Sequence, residues 1–329
     1  MSDSAFPPVN PKATPQARAL LELIQGVSGS NTLSGQHNAP AHISHYSDLA
    51  HEITGHNPAV WGQDFGFSAD GDLDGINFRP DVIAEAKRQH AQGSIITLMW
   101  HAARPTGEEP VTFDDNICNG PLAQADWQDL LTPGTDIHTR WTRQVDVIAA
   151  LLTQLRDAQV PVLWRPYHEM NGDWFWWGGH PGAGGYEALY RQLYARLVDH
   201  HQLDNLIWVW NANAPRNIKD DFAGTYAGFY PGHDVVDILA ADVYHNDYAQ
   251  SHHDELVELG EGRPIALGEV GHLPTPQILT DQPRWAWFMA WNALLTKDNS
   301  NDAIRTLYAD ARVLNRADAS LAKEKTPTA

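Results

Sequence analysis

Two glutamates stand out by where they fall. Glu169 closes the run Val-Pro-Val-Leu-Trp-Arg-Pro-Tyr-His-Glu, and Glu269 closes Pro-Ile-Ala-Leu-Gly-Glu. A carboxyl set among apolar neighbours is costly unless it is paired or used. Each glutamate alone reads as well as a structural ion-pair partner. Two of them, at the ends of apolar runs and beside aromatic residues, favour chemistry. Glycoside cleavage needs such a pair: one carboxyl protonates the leaving oxygen, and the other attacks the sugar carbon or activates water.

Further polar residues share this placement. His101, His168, Asn211, Asp242, Tyr244 and Asn292 all end or closely follow apolar runs. The densest stretch is Trp164-Arg-Pro-Tyr-His-Glu-Met-Asn-Gly-Asp-Trp-Phe-Trp-Trp-Gly178. Its His168-Glu169 begins a zinc signature, but Gly172 stands where the second histidine belongs, so the helical i, i+4 ligand pair is missing. Arg165 offers a permanent positive charge that orients carboxylates. Trp174, Phe175, Trp176 and Trp177 exceed what one strand face can bury, so at least one is expected to face a cleft. Trp127 reads equally as a distal sugar platform or as packing. His252 and His253 read as solvated loop residues, and no metal site is expected.

The elements that must position these residues alternate. Eight apolar runs read as buried parallel strands, ending at Gln36, Asp64, His101, Glu169, Asn211, Tyr244, Glu269 and Asn292. Helical periodicity fills most gaps: Val145, Ile148, Ala149, Leu152 and Leu155 make one stripe, and Tyr186, Leu189, Tyr190, Leu193 and Leu197 another. Pro80 starts a third helix, and Asn301 to Leu314 is expected to be the last. The gaps after Asn211 and Glu269 carry weaker signals. Alternation of this kind predicts an α/β architecture, a single-domain (β/α)8 TIM barrel, in which strands four and seven face each other across the mouth. The rival open, doubly wound sheet lacks its usual Gly-x-Gly-x-x-Gly turn. The expected boundaries are an extended arm over 1–14, the barrel over 15–319 and a frayed tail over 320–329.

Composition narrows the partners. The 329 residues carry 41 acidic and 22 basic side chains, a net charge of −19, which repels nucleic acid and anionic membrane surfaces. No run approaches the ~20 apolar residues of a membrane span. Cys118 is the only cysteine, so no internal disulfide forms. The N-terminus shows no basic stretch followed by an apolar run, so no signal peptide is visible, and the compartment stays open. Thirteen tryptophans are enough to fill a core and still furnish flat faces for sugar rings.

The pattern Arg-Pro-x-His-Glu-x-x-Gly-x-Trp-Phe-Trp-Trp resembles glycoside hydrolase family 26, clan A barrels that include β-mannanases. Leu33-Ser-Gly-Gln36, Met99-Trp-His101, Tyr230-Pro-Gly232, Asp242-Val-Tyr244, Gly268-Glu269 and Trp291 have counterparts in the same order. The resemblance implies a retaining hydrolase of β-1,4-mannan, glucomannan or galactomannan, with Glu169 as acid/base and Glu269 as nucleophile. It also implies that His168 and Tyr244 bond near the nucleophile, and that His101 and Asp242 surround the subsite of the glycosyl intermediate. Trp174 flanks the cleavage point and Trp291 floors that subsite. No cofactor is implied; the expected partner is β-mannan polysaccharide or manno-oligosaccharides, with neither nucleic acid nor membrane. Exo-release of short units stays open, because the loops around 70–77, 104–127 and 246–253 that would decide it resemble the family least; mixed-linkage glucan or xylan stays open because some members of the family cut them. A non-catalytic sugar-binding barrel would not need both glutamates, and a metal-dependent hydrolase lacks its ligands.

Overall fold

The computed structural model describes residues 6–67, 75–214 and 223–319. Eight parallel strands close on themselves: β1 (Thr32–His37), β2 (Val60–Asp64), β3 (Ile95–Trp100), β4 (Val162–Pro166), β5 (Leu206–Asn213), β6 (Ile238–Val243), β7 (Ile265–Val270) and β8 (Trp285–Ala290). Each pairs with the next in sequence, and β1 pairs with both β2 and β8. The chain is thus a (β/α)8 barrel, and all eight expected strands are present.

Helices wrap it: α1 (Pro15–Val27), α2 (His45–Thr54), α3 (Arg79–Ala91), α4 (Gln124–Leu131), α5 (Asp136–Asp157), α6 (Tyr186–Tyr194), α7 (Gln250–Gly260), α8 (Pro276–Asp281), α9 (Leu294–Lys297) and α10 (Asn301–Tyr308). The gap after β7 holds only the six-residue α8. The described part of the gap after β5 holds one 3₁₀ turn over Tyr226–Phe229. Helix α10 ends at Tyr308, short of the expected Leu314, and residues 316–319 are helical again beyond it. Val313–Leu314 instead forms a ninth strand, β9, beside the first residues of β1. The apolar pair that looked like the end of a helical stripe satisfies a sheet edge.

Alternation along each strand sorts the core into two layers. Trp61, Ile96, Trp164, Trp208, Trp210 and Leu267 point outward and meet the helices. Leu33, Val60, Ile95, Leu163, Ile207, Val209, Ala240, Ala266 and Trp287 fill the barrel. Leu20, Leu21 and Ile24 of α1 join that inner cluster and plug its N-terminal end. Moving up from these residues in steps of two brings the inward positions to His37, Asp64, His101, Arg165, Asn211 and Asp242, so the barrel turns from apolar at its base to polar at its mouth.

Residues 6–14 cross the base. Asp237, buried there, accepts hydrogen bonds from the backbone N–H of Val9 (2.7 Å) and Trp208 (2.8 Å). Burial outweighs these bonds and the Arg263 charge, and pushes the Asp237 carboxyl up to about 7. An unfolded aspartate titrates near about 3.9. Between these values the unfolded chain has released a proton that the folded one keeps, so this residue's contribution to stability declines as pH rises from about 4 to about 7. Asp237→Asn is expected to remove that decline. Melting curves across this window should slope downward less in the variant than in the wild type; parallel slopes would refute the assignment.

Candidate active site

Glu269 reaches the mouth through an irregularity in β7. Ala241 pairs with Leu267 and Asp242 with Glu269, so Gly268 is an extra residue in the ladder. With Ala266 inside the barrel and Leu267 outside, unbroken alternation would turn Glu269 outward. The bulge reverses this and brings Glu269 in beside Asp242. Only glycine fits at the bulge, because a Cβ on Gly268 would overlap the Asn211 amide oxygen and lie 2.8 Å from Asp242 Oδ1.

Glu169 arrives by a different route. It lies three residues beyond β4, and both Tyr167 (φ 49°) and Glu169 (φ 53°) adopt the left-handed region that non-glycine residues avoid. The turn is over-determined by its surroundings. Glu169 N–H donates to Asn211 O (2.8 Å). Trp177 Nε1 donates to His168 O (2.7 Å), Trp176 Nε1 to Ala102 O (2.8 Å), and Tyr186 Oη to Tyr167 O (3.1 Å). Trp176 and Trp177 are fully buried and brace the turn. Phe175 lines the cleft, and Trp174 donates its indole N–H to Glu169 Oε2 (2.9 Å). The aromatic run therefore divides as expected between support and cleft.

Both glutamates line one cleft of ≈ 160 Å³, together with Phe67, His101, Phe113, His168, Phe175, Tyr244 and Trp291. Glu169 and Glu269 are 8% and 3% exposed, so each touches the cleft while being shielded from bulk water. Arg165 Nη2 donates to Glu269 Oε1 (2.6 Å), and Tyr244 Oη donates to Oε2 (2.6 Å). His168 Nε2 lies 3.7 Å from Oε1. Burial, with the charges of Glu269, Asp242 and Glu169, raises the Tyr244 hydroxyl far above its ordinary range, so it stays a donor. Burial, then the nearby positive groups, keeps His168 neutral. Beneath them, burial and the Glu269 charge push the Asp242 carboxyl well above its ordinary range, although Arg165 Nη1 lies 3.5 Å away.

Trp291 is held edge-on to His101, with ring centres 6.2 Å apart, and stacks on His37 at 4.3 Å. Burial and the Arg165 charge lower His37 to about 3, so this backing ring is uncharged. His168, Asp242 and Glu269 place potential ligand atoms within 4.8 Å of one another. The Arg165 guanidinium already sits against both carboxyls, and its charge repels a divalent ion from that spot.

Glu169, Glu269, His101, His168, Arg165, Trp174, Asp242, Tyr244 and Trp291 gather here; Trp127 does not. Its ring is 1% exposed, stacks on His180 at 4.0 Å and donates to Gly184 O (3.1 Å), so it offers no face to a sugar. Its size, set on a helix rather than a loop, is spent on packing. His252 and His253 are also corrected: both are buried in α7, where His253 Nε2 accepts from the Arg284 backbone. Sequence reasoning passed over His37 and Asp64, whose strand-end positions would have exposed them. It also passed over Phe67 and Phe113, which lie in loops with no periodicity to mark them.

A barrel mouth with two carboxyls, an aromatic floor and a buried cation behind one carboxyl is equipped for acid–base work on a bound ring. The chain belongs to glycosyl hydrolase family 26, which it matches over residues 9–318. It is 33% identical to a mannan endo-1,4-β-mannosidase of Thermothelomyces thermophilus, over 93% of this chain and 61% of that protein. It is 29% identical to a mannan endo-1,4-β-mannosidase of Bacillus subtilis, over 94% of this chain and 88% of that protein. Mannan endo-1,4-β-mannosidases A and B of Piromyces sp. are 31% and 30% identical, and the chain spans 45% and 52% of their lengths. Among solved structures, GH26A from Muricauda sp. MAR_2010_75 superposes with a TM-score of 0.89 at 45% identity, covering 94% of this chain and 99% of that one.

Proposed function

We propose that the chain is a retaining, endo-acting β-mannanase that cleaves β-1,4-mannosidic bonds in mannan, glucomannan or galactomannan. The observation that carries this reading is that Glu169 and Glu269 line the same cleft, together with Trp291. Glu269 attacks the anomeric carbon while Glu169, steadied by Trp174, gives its proton to the departing glycosidic oxygen. Glu169 then takes a proton from water, which displaces Glu269 and restores the starting configuration. Arg165 and Tyr244 hold the two Glu269 oxygens and so aim the attacking lone pair. Membership of the family supports retention, and the names of the relatives support the substrate.

Early products from mannohexaose test the proposal. A ladder of sizes is expected from endo attack. One dominant short product would replace endo with exo action. Reducing sugar from xylan or mixed-linkage glucan, with none from mannan, would overturn the substrate.

A further inference from the structure

The geometry points to Asp64 as a positioning residue: it fixes the proton of His101 on Nδ1 and leaves Nε2 as an acceptor for a sugar hydroxyl in the cleft. The inference rests on the glycosidase reading above and adds to it the sense of one substrate hydrogen bond.

Asp64 ends β2 and pairs with Met99 of β3, and His101 lies two residues further along that chain. Asp64 is buried, and its two oxygens have separate tasks. Oδ1 accepts the backbone N–H of Gly66 (2.8 Å) and of His101 (3.0 Å). Oδ2 makes a short hydrogen bond with His101 Nδ1. Burial alone would raise the Asp64 carboxyl. The His101 ring and the two backbone donors outweigh it and hold the carboxyl below its ordinary range. An ionised carboxylate only accepts, so the proton of this bond belongs to Nδ1.

The ring has little freedom. It meets His168 edge-on at 4.6 Å and Phe175 at 5.3 Å, and Phe67 and Phe113 pack at 5.8 and 5.6 Å. A side chain at Gly66 would overlap the His101 carbonyl, so the loop after β2 lies directly against this residue. Nε2 hydrogen-bonds to no described residue, and His101 lines the cleft. With Nδ1 carrying the proton, this assignment leaves Nε2 to present a lone pair to the cleft, so a hydroxyl arrives there as donor.

Asp64→Asn separates charge from shape in a predictable sense. Two backbone donors keep a carbonyl oxygen at the Oδ1 position, so the amide NH₂ must take the Oδ2 position and donate to Nδ1. The ring proton moves to Nε2, and an acceptor in the cleft becomes a donor, as the wrong tautomer does in other aspartate–histidine pairs.

The test uses the full chain with ¹⁵N-labelled histidine, the His101 signals being assigned by their loss in His101→Ala. The wild type is expected to show protonated Nδ1 and bare Nε2; protonated Nε2 would overturn the proposal without any variant. Asp64→Asn is expected to reverse the two signals and to lower kcat/KM on mannohexaose about 10–100-fold, the scale of one lost and one opposed hydrogen bond. In a His101→Ala background the same change should cost less than about twofold, because its route is gone. An equal loss in both backgrounds would mean that Asp64 acts through the loop instead. A wild type inactive on mannan but carrying the Nδ1 proton would defeat the glycosidase reading and leave this assignment standing.

Discussion

Alanine in place of Glu269 is expected to lower turnover on β-mannan by at least ~10³-fold, about 4 kcal/mol at 1.36 kcal/mol per tenfold. Azide should restore turnover to this variant, entering the space left by the carboxylate and giving product of inverted configuration. Glu169→Ala is expected to lose as much on polysaccharide. On an activated substrate that needs no protonation, azide should yield product of retained configuration. The two outcomes separate an attacking group from a proton donor, which loss of activity alone does not. Near-normal turnover of polysaccharide by either variant would contradict the assignment. The expectation rests on both carboxyls lining the same cleft.

Arg165→Met should be the most damaging change behind the cleft. Arg165 is 3% exposed and bonds Glu269 Oε1 at 2.6 Å, so the variant leaves a buried charge without its partner. Removing one member of such a pair costs about 3–5 kcal/mol of folding stability. Turnover should fall as well, because the Glu269 oxygen that Arg165 orients becomes free to rotate. Arg165→Lys should recover only part of either loss. Arg165 Nη2 reaches Glu269 while Nη1 lies 3.4 Å from the Asn211 oxygen, and an ammonium is a single point charge without that fork. Denaturant unfolding and steady-state rates check both claims; a Met variant as stable as the wild type would refute them.

The barrel was legible because each strand is a short apolar run with a polar end, and because helical stripes such as Val145 to Leu155 lie between them. The site was legible where chemistry and strand end coincide, as at His101, Asp242 and Tyr244. The route to Glu269 was not. Counting by twos from Ala266 sends Glu269 away from the cleft, and only the extra residue at Gly268 brings it back. A bulge depends on the partner strand, which no local pattern encodes. Trp127 stayed undecided between platform and packing for a related reason: nothing in its neighbours distinguishes a ring stacked on His180 from one open to solvent. The Val313–Leu314 pair has helical spacing, and its true role depends on β1, some 280 residues earlier in the chain.

The left-handed turn that carries Glu169 has a wider meaning. Glu269 takes its address from sheet register, and Glu169 takes its own largely from indoles wedged against loop carbonyls. The two carboxyls therefore draw on different reserves of rigidity that meet at Asn211, whose carbonyl accepts from Glu169 and whose amide packs against Gly268. Warming or mutation that loosens the tryptophan wedge can displace Glu169 while every strand remains paired, and a shift in β7 can displace Glu269 while the wedge stays intact.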